Sequence, residues 1–316
     1  MTRRKIVDLA CLSFAAYVVA TLLPPRQQFA ALAGLMMMIY TWPRQKKVLG
    51  PPALCLARHG AREDYALQAR GENWQTGAER PWDPPLTAGG VEQGGKLGAG
   101  VRSHLRRLAR RPISRIISSP LVRCVQTAAA AAQELELEEI CIEPLLTEGM
   151  LEDWYRSWAV PGADSTWGGP AHSRVGTAFP ADGDVHALAH RPAEELLLTP
   201  ESAEAALKAR GVDMRVSRSY APLQTWRLDY VWRRFESEAQ LAARMEAALN
   251  GLALRFPNES ILCTSHGGPC AHAYQQLVPP ESQLRGVQAG YTALYVFTRE
   301  GHGWSAPVVA DQSHLT

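Results

Sequence analysis

The sequence predicts an α/β fold in which helices cover both faces of a mostly parallel central sheet. Two short apolar runs of strand length, at residues 53–57 and 260–265, each lead to a histidine followed by glycine. A third run, at 113–118, leads into an alanine-rich helical segment at 121–136. An amphipathic helical pattern at 236–256 precedes the last of these strands, which is the α/β alternation that a parallel sheet requires.

The composition fits one sizeable core and excludes several functional classes. The chain has 316 residues, of which 46% are apolar and 20% charged, enough for one α/β domain. A formal net charge of +2 is too small to indicate nucleic-acid binding. The six cysteines include no CxxC pair, which favours reduced thiols in an intracellular domain and argues against a zinc site.

The first 47 residues differ in pattern from the rest. Apolar runs at 6–23 and 29–42 are flanked by basic residues and separated by a Pro-Pro turn. This pattern predicts a membrane hairpin over 6–42 with both ends cytoplasmic, and hence a membrane-associated protein with its folded domain, 48–316, in the cytoplasm. A cleaved signal sequence or an organelle-targeting segment is the alternative.

The first predicted strand delivers Arg58 and His59 to its carboxyl end, and the later strand delivers His266 to its own. Open α/β sheets bind ligands at the carboxyl ends of their strands. A single His-Gly pair is weak evidence, because most histidines are ordinary core or surface residues. The repeated pattern favours two histidines that face one pocket.

Residues 83–97 combine a proline-rich turn with a glycine-bearing helix. The prolines at 84 and 85 exclude a helix there, and Thr87 is placed to cap the next one. The segment 90–96 matches most of a phosphate-binding P-loop, but Leu97 stands where that motif needs Ser or Thr. We therefore reject nucleotide binding and expect the glycines to let this helix pack closely on the sheet.

The segment after the strand at 113–118 predicts an anion site. Ser119 is placed as the helix N-cap and Pro120 as the first helical residue, so Arg123 falls in the first turn. A helix N-terminus with an arginine is suited to a phosphate group. Any single arginine in this position is more often just an exposed side chain.

The remaining elements surround a long irregular segment. Residues 140–142 predict a short strand, and 291–297 a late one followed by a surface tail. Residues 154–235 read as an insertion whose aromatic side chains would either contact a substrate or pack on their own domain. Three histidines within it lack carboxylate or cysteine partners at ligand spacing, so we predict no metal site: His172, His186 and His190.

Three motifs together resemble the histidine phosphatase superfamily, which is also called phosphoglycerate-mutase-like. They are Arg58-His59-Gly60, the run SPLVRCVQTA at 119–128, and Ser265-His266-Gly267. The resemblance extends over about residues 54–278 and implies a three-layer α/β/α domain.

Within that superfamily the chain resembles the phosphatase domains of the suppressor of T-cell receptor signalling proteins and ecdysteroid-phosphate phosphatase. The shared features are the run DPPLT at 83–87, Arg62 four residues after Arg58, and Glu143-Pro144 followed by Glu148.

The resemblance implies catalysis through a phosphohistidine on His59, with Glu148 as the proton donor and Glu152 as the fallback. Taken alone, both glutamates would be ordinary surface residues. The implied mechanism needs neither a metal nor an organic cofactor. The residues implied to bind the phosphoryl oxygens are Arg58, Arg62, Arg123 and His266.

The resemblance predicts a phosphomonoesterase that acts on a phosphorylated small molecule or a phosphoprotein. A phosphoglycerate-mutase-type phosphotransferase uses the same catalytic residues and is one alternative. A membrane-tethered phosphoprotein-binding module without turnover is another, although all the catalytic positions are present. A homodimer is compatible with the resemblance, and specificity is expected to depend on the 154–235 insertion.

Overall fold

A seven-stranded mixed sheet forms the centre of the structure, a computed structural model that describes residues 50–72, 74, 78, 80, 82–149, 197–223, 236–301 and 303–316. The strands are β1 Leu54–Arg58, β2 Ile113–Ser118, β3 Glu139–Ile142, β4 Arg215–Val216, β5 Ser260–Ser265, β6 Leu294–Glu300 and β7 Gly303–Asp311. Their spatial order is β4-β3-β2-β5-β1-β6-β7. The first five strands in this order are parallel, while β6 runs antiparallel to both β1 and β7.

Helices cover both faces of this sheet, because its buried side chains alternate between two apolar clusters. The helices are α1 Glu63–Gln68, α2 Ala88–Arg107, α3 Val122–Glu134, α4 Pro200–Lys208, α5 Glu238–Arg255 and α6 Gly267–Leu277. One cluster packs the sheet against α2, α3 and α4, and the other packs it against α5 and α6. The predicted three-layer α/β/α architecture is confirmed.

Helix caps agree with the prediction in one place and differ in another. Thr87 accepts a hydrogen bond from the Gly90 amide at the start of α2, as predicted, and the side chain of Thr199 caps α4. The expectation for Ser119 was wrong, since α3 begins at Val122 with Leu121 in the N-cap position. The Ser119 hydroxyl instead contacts a histidine of the site described below.

The glycines of α2 pack against other segments than expected. Gly90 meets the loop after β1, where a Cβ atom would lie 2.1 Å from the Ala61 carbonyl oxygen. Gly94 meets α3, where a Cβ would lie 2.9 Å from the Cβ of Ala130. The helix therefore approaches a neighbouring helix and the loop after β1 at these two points, not the sheet.

The expected surface tail after the late strand was also wrong. Residues Gly303–Asp311 form β7, which pairs with β6 at the edge of the sheet. The strand was hard to recognise because Val308 is its only buried residue and because Pro307 interrupts the apolar run. Proline is tolerated in an edge strand, where half of the backbone amides have no partner strand.

Several predictions fall on residues outside the described ranges. These are the apolar hairpin at 6–42, the boundary near residue 47, Glu152, and most of the 154–235 insertion. The described part of the insertion contains α4 and the short strand β4. Within the described ranges, no helix is long and apolar enough to cross a membrane. Membrane association stays a prediction.

Candidate active site

Three neighbouring parallel strands bring the predicted residues to one edge of the sheet. Strand β5 lies between β1 and β2, with Ser265 beside Arg58 and Thr264 beside Ser118 in the register. The residues that follow these strand ends, His59, His266 and Ser119, therefore lie close together. The ring centroids of His59 and His266 are 5.3 Å apart, which confirms that both histidines face one site.

His59 is held in one tautomer with one ring nitrogen available. It is 1% exposed, and its Nδ1 lies 2.8 Å from the Gly60 carbonyl oxygen. A carbonyl only accepts hydrogen bonds, so Nδ1 carries the proton and Nε2 keeps its lone pair. Burial, together with Arg123 and two further arginines, lowers the pKa of His59 well below its ordinary value. The ring is therefore neutral and able to act as a nucleophile.

The loop that carries His59 is fixed by backbone contacts. The His59 amide donates to the Ser265 carbonyl at 3.0 Å, and the Gly60 amide donates to the Thr127 hydroxyl at 3.0 Å. A Cβ on Gly60 would lie 2.3 Å from the Gly90 carbonyl oxygen, so the contact with α2 requires glycine here. This packing leaves little freedom for the backbone beside His59.

Arg58 and Arg62 each stack on a tyrosine at the site. The Arg58 guanidinium lies 4.4 Å from the ring centroid of Tyr291 and donates to the Ala289 carbonyl at 2.8 Å. The Arg62 guanidinium lies 4.5 Å from the ring centroid of Tyr65 and forms a two-point ion pair with Asp64. These contacts orient the planar groups, which are suited to binding phosphoryl oxygens.

Arg123 lies between two buried carboxyl groups. Its Nη1 is 3.5 Å from Oδ1 of Asp83, and its Nη2 is 3.8 Å from Oε2 of Glu148. Asp83 also accepts from the Val122 amide at 2.8 Å and from Arg80 at 3.1 Å. Asp83 is only 3% exposed, so its bonds to the Val122 amide and to Arg123 form inside the protein.

Glu148 contacts the second histidine of the site. Its Oε2 lies 3.4 Å from Nδ1 of His266, whose Nε2 lies 2.8 Å from the Ser119 hydroxyl. Burial raises the pKa of Glu148, and Arg123 opposes that shift only in part. Burial also lowers the pKa of His266 well below its ordinary value, with Arg123 the next cause. A carboxyl group that retains its proton near neutral pH is able to act as a general acid.

Glu143 is part of the fold and not of the site. It is fully buried and caps the 3₁₀ turn Pro144–Leu146. Its Oε2 also accepts from the Tyr220 hydroxyl at 2.7 Å and from the Leu223 amide at 2.8 Å. The carboxylate is therefore fully occupied by structural hydrogen bonds.

The structure brings all six predicted site residues together, and it adds three that the sequence did not identify. Ser119 contacts His266, Asp83 contacts Arg123, and Tyr291 lies 6.0 Å from the His59 ring centroid. Asp83 lies in a motif that the resemblance used, but its partner is forty residues away in the sequence. No local pattern indicated the roles of Ser119 and Tyr291.

The site combines three arginines, a neutral histidine and a buried carboxyl group, which is an arrangement suited to phosphoryl transfer. Within the described ranges, no group of three or more His, Cys, Asp or Glu residues is placed to hold a metal ion. The arginines provide the positive charge that the oxygens of a phosphoryl group require.

Comparisons with known proteins identify a matching sequence family and similar folds. The sequence model of the histidine phosphatase superfamily (branch 1) matches residues 54–172 and 205–312. The ecdysone phosphate phosphatase of Bombyx mori, solved with tungstate, is similar in fold at a TM-score of 0.52 and 18% identity. That comparison covers 83% of this chain and 96% of the insect protein.

Two further solved structures show weaker similarity. The phosphoglycerate mutase of Bacillus anthracis has a TM-score of 0.46 at 18% identity, over 84% of this chain and 96% of the mutase. The mycobacterial glucosyl-3-phosphoglycerate phosphatase with VO3 has a TM-score of 0.47 at 17% identity, over 83% of this chain and 100% of that one. No curated protein matches the sequence of this chain.

Proposed function

The chain belongs to the histidine phosphatase superfamily, branch 1, and on that premise we propose that it is a phosphomonoesterase that works through a phosphohistidine on His59. One observation carries the proposal. The imidazole of His59 is neutral, and its tautomer is fixed by the hydrogen bond from Nδ1 to the Gly60 carbonyl, which leaves the lone pair on Nε2. The ring lies among three arginines and a buried carboxyl group.

In the first step, the arginines and His266 bind the phosphoryl oxygens of the ester. His59 Nε2 attacks phosphorus, and the bond between phosphorus and the leaving oxygen breaks. Glu148 donates its proton to that oxygen, so the alcohol leaves uncharged. The raised pKa of Glu148 supports this role, because burial keeps the carboxyl protonated at a higher pH than usual.

In the second step, Glu148, now ionised, takes a proton from a water molecule as that water attacks the phosphohistidine. The N–P bond breaks, inorganic phosphate forms, and the initial protonation states of His59 and Glu148 are restored. Arg123, 3.8 Å from Glu148, is placed to stabilise both the carboxylate and the phosphoryl oxygens.

The test is steady-state hydrolysis of p-nitrophenyl phosphate by the full chain in EDTA. We expect turnover in the parent, loss of at least three orders of magnitude in His59→Ala, and normal turnover in the matched control His272→Ala. His272 is a histidine of α6 that pairs with Glu238. Turnover by His59→Ala at the parental rate would contradict the proposal.

A product assay separates hydrolysis from phosphate transfer. Release of one inorganic phosphate per alcohol formed supports a phosphatase, whereas transfer of the phosphoryl group to an added sugar or glycerate acceptor favours a mutase. An acid-labile, alkali-stable phosphoprotein that is absent from His59→Ala would identify the intermediate. Binding of phosphate esters without any turnover would indicate a binding module.

A further inference from the structure

The loop that carries Glu148 is held from outside the phosphate site by one arginine of α5. Arg244 Nη1 donates to the carbonyl oxygens of Leu145, at 2.6 Å, and Thr147, at 3.1 Å. Its Nη2 donates to the carbonyl oxygen of Glu148 itself, at 3.2 Å. The side chain of Arg244 is only 7% exposed, so these bonds form away from bulk water.

These bonds replace hydrogen bonds that the loop cannot make within secondary structure. Residues 147–149 follow the 3₁₀ turn Pro144–Leu146 and belong to neither a helix nor a strand. The remaining carbonyl among residues 145–148, that of Leu146, accepts a hydrogen bond from the Ser265 hydroxyl at 2.7 Å. All four carbonyls from 145 to 148 thus accept from side chains of distant segments, and three of them depend on Arg244.

The orientation of Arg244 is fixed by a second buried side chain. Glu236 accepts from Arg244 Nε at 3.0 Å and also from Nη2, and the Glu236 side chain is 10% exposed. A two-point pair of this kind sets the plane of the guanidinium, which lysine cannot reproduce. The Glu236–Arg244 pair therefore determines where the loop carbonyls, and with them the Glu148 carboxyl group, are placed.

We propose that Arg244, oriented by Glu236, is a positioning residue for proton transfer by Glu148. The proposal rests on the role that the proposed function gives Glu148. Among the described residues, Arg244 donates to the backbone carbonyls of residues 145, 147 and 148 and to Glu236, and it makes no bond to the Glu148 carboxyl group. Because a displacement of about 1 Å in a reacting group costs about 100-fold in rate, loosening this loop reduces proton donation selectively.

Leaving-group dependence distinguishes this role from a purely structural one. Phenyl phosphate and p-nitrophenyl phosphate have similar shapes, but phenolate is the more basic leaving group and needs the proton more. The measured quantity is kcat/KM, which reports on the steps up to departure of the alcohol. The ratio of the two values, taken from one enzyme sample, does not depend on the fraction of the protein that is folded.

The variants are Arg244→Lys, Arg244→Gln and Glu236→Gln, with Glu148→Gln as the reference for a lost acid. We expect Arg244→Gln to lower kcat/KM for phenyl phosphate by about 10- to 100-fold more than for p-nitrophenyl phosphate. Arg244→Lys and Glu236→Gln should give intermediate ratios. The matched control is Arg115→Gln, which breaks a two-point pair with Glu259 elsewhere in the fold and should leave the ratio unchanged.

The outcomes separate the two hypotheses. A changed ratio in Glu148→Gln with unchanged ratios in all Arg244 and Glu236 variants would overturn the positioning role. An unchanged ratio in Glu148→Gln itself would instead refute the acid role on which the proposal rests. If Arg244→Gln does not fold, the Lys variant and Glu236→Gln decide the matter, because each keeps part of the pair.

Discussion

Asp83 is the residue whose replacement best tests how the proposed phosphate site is built. Its carboxylate accepts from the Val122 amide at 2.8 Å, from Arg80 at 3.1 Å and from Arg123 at 3.5 Å. The side chains of Asp83 and Arg123 are at most 1% exposed. Asp83→Ala removes all three bonds and leaves a helix-terminal amide and the guanidinium of Arg123 without this acceptor.

The expected loss of stability follows from the burial of the pair. Removing one partner of a buried ion pair costs about 3–5 kcal/mol, because the remaining charge stays desolvated. For a unit the size of Gly50–Thr316, each 1 kcal/mol lowers the melting temperature by about 2–4 °C. Asp83→Ala should therefore melt about 6–20 °C below the parent. Asp83→Asn keeps an acceptor for the Val122 amide but also removes the negative charge beside Arg123, so it should recover only part of this loss.

The assay has two measurements and one control. Thermal melting gives the stability, and competitive inhibition by inorganic phosphate at a temperature below both transitions gives the affinity of the site. We expect Asp83→Ala to bind phosphate at least tenfold more weakly, because Arg123 is no longer oriented. The exposed Asp213→Ala should match the parent within about 0.5 kcal/mol. A melting temperature of Asp83→Ala within 2 °C of the parent would refute this reasoning.

Three further changes have expected outcomes. Ser119→Ala should lower kcat by about tenfold and the free energy of unfolding by about 1 kcal/mol, because the His266 ring loses its 2.8 Å hydrogen-bond partner. Stopped assays measure kcat, and melting curves measure the stability. The melting temperature of Glu148→Gln should be higher than that of the parent at pH 7.5 and equal to that of the parent near pH 4. The reason is that a carboxyl with a raised folded-state pKa contributes stability below its unfolded pKa and loses it as pH rises. Gly90→Ala should reduce turnover and melting temperature together because of the 2.1 Å contact, whereas Gly95→Ala, with open space around it, should raise the melting temperature slightly.

The strand ends were predictable because they combine two local signals. An apolar run of strand length and the histidine that follows it are both visible within ten residues. The strands β1 and β5 could therefore be inferred, and so could the proximity of His59 to His266. The superfamily resemblance then supplied Arg62 and Glu148. The structure confirms the fold and places these residues together, while their chemical roles stay predictions until the variants are measured.

The interactions that orient these residues were not predictable from sequence. Ser119 has the residue type and position of a helix cap, and only the register of β2 beside β5 shows that it reaches His266. Arg244 lies 96 residues from the loop carbonyl that it binds. An arginine on an amphipathic helix gives no sign in the sequence of which backbone groups it will contact. Such long-range contacts depend on the packed structure.

The burial of His59 has a consequence once substrate is bound. Burial is the largest single cause of its lowered pKa, and each of the three arginines is a smaller one. A bound phosphate ester cancels much of the arginines' charge, so it removes their effect on His59 and by itself favours protonation of the ring. Desolvation does not depend on the substrate's charge. In the proposed mechanism it therefore keeps Nε2 unprotonated at the moment of attack, while the same negative charge helps Glu148 to retain the proton that this mechanism assigns to it.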